Sequence, residues 1–357
     1  MKFLKSLLPL LLIFSLLLCS CSVDAFNDLI GSITGNTENP DGEDPEHVIP
    51  EEGRPDGSEP EEKPEETPGD DNNEDDTPVV LERRSLEGKT IVNFGDSIFG
   101  LASNGQYVST LLAEATGATV YNMGIGGTRM ASYLTAASTV NNPIINDMWD
   151  PFSMYRLVDA IISKDFSYQE AAFKKYRDFN NSNRLYIKDS IITLKTLDFN
   201  NIDIVTISFG TNDFTSSKNN PKATGDNKYN THALEGALRY SVEKLHEAFP
   251  DLEIYVTTPI YRSWFNNDKT AIVGDSTTKK NTFKYVLADY CQMIEDVVSE
   301  YDYVTLIDAY VGTGFNADNR SEYFPEKDPT HPNEKGKKVL AEYMAEIMCT
   351  QYVVTED

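Results

Sequence analysis

Basic residues are in short supply in this 357-residue chain: 31 Lys and Arg stand against 57 Asp and Glu, for a net charge of −26. No Lys/Arg patch stands out, so nucleic acid is not an expected partner, and anionic polymers would be repelled at long range. Cysteine is rarer still. Of the four, Cys19 and Cys21 lie near the start, while Cys291 and Cys349 fall in apolar helical patterns. None has metal-ligand spacing, so no metal centre is expected, and whether Cys291 and Cys349 pair stays open. No internal repeat is visible. No apolar run reaches the roughly 20 residues that a membrane-spanning helix needs.

The apolar run that does occur, Leu7 to Leu18, follows Lys2 and Lys5 and ends in Leu18, Cys19, Ser20 and Cys21. Its length suits the core of a secretory signal peptide, expected over residues 1–20. The closing residues resemble a bacterial lipobox, with Leu at −3, a small Ser at −1 and Cys21 as the lipidated first residue of the mature protein. Bulky Leu18 before Cys19 makes that position the poorer candidate. Such an anchor implies a location at the bacterial cell envelope, outside the cytoplasm, with the membrane met only through lipid. Between Ser22 and Val80 there are 20 acidic residues and two basic ones, Arg54 and Lys63. With Pro and Gly throughout and few apolar residues after Ile33, residues 21–82 are expected to be a disordered, self-repelling tether.

The remainder, residues 83–357, alternates two patterns. Short β-branched runs at Lys89 to Phe94, Thr119 to Asn122, Ile202 to Phe209, Leu252 to Thr258 and Tyr303 to Asp308 predict buried parallel strands. Helical spacing fills the gaps: Tyr107 to Ala115 with Gly117 as its stop, then Leu238, Val242, Leu245 and Phe249, then Phe283 to Val297. A last helix is expected from Asn333, an N-cap, to about Met348. Five strand-helix alternations predict a three-layer α/β/α sandwich around a parallel, flavodoxin-like sheet. About 75 residues separate Thr128 from Ile202, too many for a single crossover helix. Residues 128–183 are therefore expected to be a helical insertion after the second strand, lying over the sheet's carboxyl edge as a lid or substrate wall.

Four short motifs close or follow these elements. They are Gly95-Asp96-Ser97, the run from Asn122 to Gly127 with its three glycines, Gly210-Thr211-Asn212-Asp213, and Asp328-Pro329-Thr330-His331. Ligands of an open parallel sheet bind beyond the strands' carboxyl ends, so the four should converge on one crevice. A serine at a strand-to-helix turn presents its hydroxyl outward, and Gly95 permits the tight approach. Serine is inert without a base. Of the four histidines, His331 is best placed to serve, with Asp328 holding its other nitrogen and Pro329 and Pro332 stiffening the loop. Asp96 and Asp213 read as structural carboxylates that bond loop backbone.

In type and chain order these motifs resemble the GDSL/SGNH hydrolase family over roughly Lys89 to Met348. The resemblance implies a serine esterase that works through an acyl-enzyme without metal or cofactor. It makes Ser97, His331 and Asp328 catalytic, and it assigns the oxyanion hole to the backbone N–H of Ser97, the N–H of Gly127 and the side-chain amide of Asn212. Gly127 is preferred over Gly124 and Gly126 because it follows Asn122 by five positions. Trp149, Tyr261, Arg262 and Trp264 are expected substrate contacts, since aromatic rings beside polar groups suit stacking on sugars; Phe152 and Tyr155 stand near Trp149. The expected substrate is acylated carbohydrate, met by a monomer. The rivals are a lipase, lysophospholipase or thioesterase of the same fold, and a glycan-binding surface lipoprotein without activity.

Overall fold

The computed structural model describes residues 79–101, 104–132, 148–175, 186–216, 219–223 and 225–354. The leader, Cys21, His47 and the acidic stretch up to 78 lie outside the described residues. Contacts divide the chain into two units, Met1–Asn73 and Glu74–Asp357, and all described residues belong to the second.

In chain order the elements are strand β1 (Val79–Arg83), β2 (Thr90–Gly95), helix α1 (Ser97–Gly100), α2 (Val108–Thr116) and β3 (Thr119–Gly124). Next come α3 (Met154–Ser163), α4 (Ser167–Lys175), α5 (Tyr186–Thr196), β4 (Ile204–Ser208), α6 (Thr211–Ser216), α7 (Leu234–Ala248) and β5 (Glu253–Thr257). The chain ends through a hairpin of β6 (Ser263–Phe265) and β7 (Ile272–Asp275), then α8 (Leu287–Val298), β8 (Val304–Ile307), α9 (Ala309–Gly312), α10 (Arg320–Tyr323), α11 (Glu334–Cys349) and β9 (Thr350–Val354).

Five strands pair in parallel in the order β3-β2-β4-β5-β8, the doubly wound plan expected from the alternation. The inner strands β2, β4 and β5 are buried on both faces, which is why they read as continuous apolar runs, whereas the edge strands β3 and β8 are partly exposed. Successive side chains still divide between two cores. Val92, Phe94, Val205, Ile207, Ile254 and Val256 meet α3, α5, α7 and α8 on one face. Ile91, Ile204 and Tyr255 meet α2 and α11 on the other. Helix α2 stops where Gly117 takes a left-handed φ of 73°. At the start of α11 the Asn333 side chain accepts from Gly336 N at 3.0 Å, the N-cap that its sequence position predicts.

Three features differ from the sequence reading. Strand β1 pairs antiparallel with β9, so ordered structure begins inside the stretch read as tether, which was placed as far as residue 82. Arg84 fixes this corner: its guanidinium donates to both Glu253 oxygens and to the Tyr255 hydroxyl, and its Nε donates to Met348 O at 2.9 Å. The hairpin β6-β7 also escaped prediction, its strands being too short to show a period. Lastly, α3 is a packed layer and not a lid. Met154, Leu157, Val158 and Ile161 are buried in the core beside α7, so the described part of the insertion builds a wall of the sandwich.

One close approach couples the sheet to the motif at β2. A Cβ on Gly100 would fall 2.5 Å from Gly124 O, and one on Gly124 would fall 2.6 Å from Gly100 N. Both obstacles are backbone, so neither can rotate aside. Gly100→Ala should therefore cost about 1–3 kcal/mol in chemical denaturation. An unchanged unfolding midpoint would show that α1 is free to move away from β3.

Candidate active site

The tight turn after β2 comes first. Gly95 leaves no room for a side chain, since a Cβ there would meet the Phe99 ring at 2.6 Å. Asp96 caps α1, its Oδ1 accepting from Ile98 N at 2.9 Å. Ser97 is thus lifted to the carboxyl edge of the sheet, half-exposed among buried neighbours. Facing it is the loop between α10 and α11. His331 Nε2 lies 2.8 Å from Ser97 Oγ, and His331 Nδ1 lies 2.9 Å from Asp328 Oδ2. In the tautomer this chemistry requires, Nδ1–H donates to the carboxylate and the serine hydroxyl donates to Nε2. The other Asp328 oxygen accepts from Thr330 N at 2.9 Å and His331 N at 3.0 Å. Burial alone would raise the Asp328 carboxyl, but the hydrogen bond and charge of His331 outweigh it and hold the group at about 2. It therefore stays ionised across the physiological range.

The other two motifs flank the serine. Asn212 Nδ2 donates to Thr128 O at 2.9 Å and lies 3.4 Å from Asp96 Oδ2, which ties the turn after β4 to the turns after β3 and β2. Neither the Ser97 N–H nor the Gly127 N–H has a backbone acceptor among the described residues. Gly127 has φ 86°, and a Cβ there would meet the Trp149 indole at 2.7 Å, so both conformation and space require glycine. Asp213 is structural, accepting from Met130 N and Ala131 N, each at 3.0 Å.

Several other histidine and aromatic positions find partners elsewhere. His232 bonds Ser132 O through Nδ1, and His246 stacks on Tyr303 with ring centroids 3.8 Å apart. Tyr261, expected to touch substrate, is 4% exposed and packs edge-on to Phe324 in the second core, which corrects that expectation. Phe152 and Tyr155 are likewise core. Arg262 is buried, with its guanidinium over the Trp264 ring and Nη1 donating to Thr215 Oγ1 at 2.6 Å. Trp264 in turn packs on Phe214, so this pair supports α6. Trp149 alone of the four stands at the glycine turn. Cys291 and Cys349 are buried free thiols. Among the described residues, no group of three or more His, Cys, Asp or Glu side chains is placed to hold a metal ion.

Sequence reading missed two groups. The Tyr186 hydroxyl accepts from Gly126 N at 3.2 Å, and it and Ser97 Cβ both lie within 3.6 Å of the point where a Gly126 Cβ would sit. Tyr186 is the first residue of the crossover helix, and nothing local to it signals proximity to a turn 60 residues earlier. Arg320 is the second: buried, it donates from Nη2 to the carbonyl of Asp328 at 3.1 Å.

A sequence profile of GDSL-like lipases/acylhydrolases matches residues 91–344. The chain belongs to that family. It is a carboxylic ester hydrolase, so the non-catalytic reading is set aside. No curated protein matches its sequence. Among solved structures, a protein from Lactobacillus plantarum is 16% identical, covering 73% of this chain and 97% of its own, with a TM-score of 0.48. A possible lipase from Chitinophaga pinensis is also 16% identical, over 72% of this chain and 97% of its own, TM-score 0.44. The carbohydrate acetylesterase Est24 from Sinorhizobium meliloti is 11% identical over 72% and 97%, TM-score 0.40.

Burial raises the Asp96 carboxyl to about 6, opposed by the Ile98 N–H and the charge of His331. Because the folded value lies above the usual carboxylate value of 3.8, the native state holds a proton that the unfolded chain releases between about pH 4 and 6. Ionising Asp96 therefore lowers stability as pH rises through that window. Asn at this position can still accept from Ile98 N. Between pH 4 and pH 7 the stability difference should move in favour of Asp96→Asn by on the order of 3 kcal/mol, read from urea melts of both proteins. A difference independent of pH would mean that Asp96 titrates normally.

Proposed function

We propose that this ester hydrolase removes acetyl or similarly short O-acyl groups from carbohydrate at the bacterial cell envelope, through an acyl-enzyme on Ser97. His331 Nε2 takes the Ser97 proton as Oγ attacks the ester carbonyl carbon, and ionised Asp328 stabilises the imidazolium. The charge on the former carbonyl oxygen is met by the N–H groups of Ser97 and Gly127 and by the Asn212 amide. Collapse expels the sugar hydroxyl, which leaves with the proton from His331. Water, activated by the same imidazole, then releases the acid and restores Ser97.

The observations that carry the substrate class are the Trp149 wall at Gly127 and a groove that reaches the serine's flanking turn through Tyr186. The Trp149 indole closes against Gly127, which favours a short acyl group. At Tyr186 a groove of about 460 Å³ opens, with Tyr107, Thr110, Asn122, Asp189 and Thr193 among its lining. That volume falls within the roughly 300–1,000 Å³ of small-molecule sites, and although Ala113, Val120 and Met123 also line it, its hydroxyl, amide and carboxylate groups suit a hydroxylated leaving group. A second reading rests on the hairpin β6-β7. Its Ser263 N donates to Pro329 O at 3.2 Å, while Ile272 and Val273 are 50% and 54% exposed. Apolar surface beside the histidine loop favours a lipid ester.

Turnover of p-nitrophenyl acetate should fall at least about 10³-fold in Ser97→Ala. On wild-type protein, kcat/KM for acetylated xylo-oligosaccharide or amino sugar should exceed that for octanoyl esters by about tenfold, since extra methylenes must find apolar room worth about 1–3 kcal/mol to be preferred. A preference for octanoate selects the lipid reading, and full activity in Ser97→Ala ends both.

No helix of the described residues is long and apolar enough to cross a membrane. The anchor we propose is lipid on Cys21, with the acidic stretch as spacer between membrane and enzyme. In cells fed labelled palmitate, wild-type protein should carry label and sediment with membranes, whereas Cys21→Ala should do neither. An unlabelled, freely soluble wild type would remove the anchor from the proposal.

A further inference from the structure

The segment that carries Asp328 and His331 has no regular structure between Phe324 and Asn333, yet two of its atoms must hold position to within a fraction of an ångström. Two buried cations bracket it. Arg320 is 6% exposed, and its Nε donates to Ser263 Oγ at 2.8 Å while Nη2 donates to Pro325 O at 3.0 Å and Asp328 O at 3.1 Å, with Glu326 O at 3.5 Å. Its guanidinium lies 5.0 Å from the Phe265 ring centre. Ser263 closes the arrangement from the hairpin side by donating its backbone N–H to Pro329 O. On the other side Lys337, 1% exposed on α11, donates from Nζ to Leu101 O and, at 3.5 Å, to Gln106 O. Both acceptors belong to the segment that follows α1, the helix Ser97 begins. Burial pulls the Lys337 ammonium down to about 8, and Asp328 is the charge that opposes the fall.

Neither cation has a carboxylate within ion-pairing distance among the described residues. A buried charge without a counter-ion costs stability, and a hydrophobic side chain of the same size would usually serve the core better. Carbonyl oxygens compensate for part of that cost only because several converge on each cation. What the carbonyls share is position: every one lies on the loop that bears Asp328 or on the segment that follows Ser97. Arg320 is suited to its place because a planar fork reaches several carbonyls in fixed directions, which an ammonium cannot.

We infer that Arg320 and Lys337 are positioning residues for the reaction: Arg320 fixes the Asp328–His331 loop against the hairpin, and Lys337 fixes the His331 side of the site to the Ser97 side. The inference rests on the catalytic roles proposed above for Ser97, His331 and Asp328. Its test uses the full chain with Arg320→Lys, which keeps the charge and the fold but loses the fork, and Lys337→Met, which keeps the length but loses the donor. Turnover of p-nitrophenyl acetate, the rate of covalent labelling by a fluorophosphonate, and the melting temperature are measured for each. Arg239→Gln serves as control, since Arg239 is also buried but pairs with Glu300 away from the site.

Both test variants should lose about 10- to 100-fold in kcat and in labelling rate, with KM within about twofold, as misplacement of reacting groups does. The control should melt earlier and keep its kcat. Unchanged kcat and labelling in either test variant overturns the inference, and so does a matching kcat loss in Arg239→Gln, which would trace the effect to general destabilisation. Ser97→Ala run alongside separates the two levels. If it retains full turnover, the catalytic reading itself fails; if it is dead while both cation variants are fully active, only the positioning role fails.

Discussion

The 2.8 Å contact between Ser97 Oγ and His331 Nε2 spans 234 residues of chain, and the sandwich acts as the frame that sets its length. Parallel strands all point one way, so the turn that leaves each strand opens at a common edge. Strand order then decides which turns are neighbours. Because β2 lies between β3 and β4, the glycine turn after β3 and the Asn212 turn after β4 are placed on either side of Ser97. An order that put β2 at the edge would leave the serine with one flanking turn and no second donor. The helix α11, which follows the histidine, packs against α2, and that packing brings the far end of the chain back over β2.

Three carboxylates share this edge and have three different lives. Asp96 and Asp213 are buried and raised by desolvation; Asp213 spends both oxygens on backbone N–H groups, and Asp96 gives one to the Ile98 N–H while the other faces the Asn212 amide. Asp328 is the one that faces an imidazole, and it alone of the three is lowered. The difference follows from depth and partner together: Asp96 and Asp213 are 2% and 5% exposed, whereas the Asp328 side chain is 38% exposed and meets the imidazole. A carboxyl that holds a loop does its work whether or not it is charged, whereas one that stabilises an imidazolium must stay charged. The site therefore keeps its negative charge where the proton moves.

How much of this was legible beforehand depended on whether the signal was local. Strands such as Ile204–Ser208 showed because burial on both faces makes them uniformly apolar, and the turns showed because glycine, Ser97, Asn212 and the Asp328–His331 spacing each serve a backbone or chemical need within a few residues. Tyr186 and Arg320 did not show, because their meaning comes from partners 60 residues away or from carbonyls that carry no sequence mark. Tyr261 misled for the complementary reason. An aromatic residue after a strand looks the same in sequence whether its ring faces the crevice or, as here, Phe324 in the core. The pairing of β1 with β9 was hidden by a composition boundary that sits a few residues away from the structural one.

The same division separates chemistry from selectivity. The reacting groups hang on turns whose shape is dictated by close backbone approach, Gly100 against Gly124 and Gly127 against Trp149, so they tolerate little change. The walls proposed to meet substrate come from the stretch between β3 and β4 and from the hairpin after β5, where extra chain can be accommodated without disturbing strand order. The hairpin is more than a wall, however. Through Ser263 it is hydrogen-bonded to Pro329 and to Arg320, which holds Asp328. A change that reshaped this hairpin for a new leaving group would thus reach the acid-base loop directly. On this geometry the groove positions Tyr107, Asp189 and Thr193 are the freer place for selectivity to vary, because the groove's side-chain ties to the serine's neighbouring turns run through Tyr186, bonded to Gly126 N, and Asn122, bonded to Phe99 O and Gly124 N.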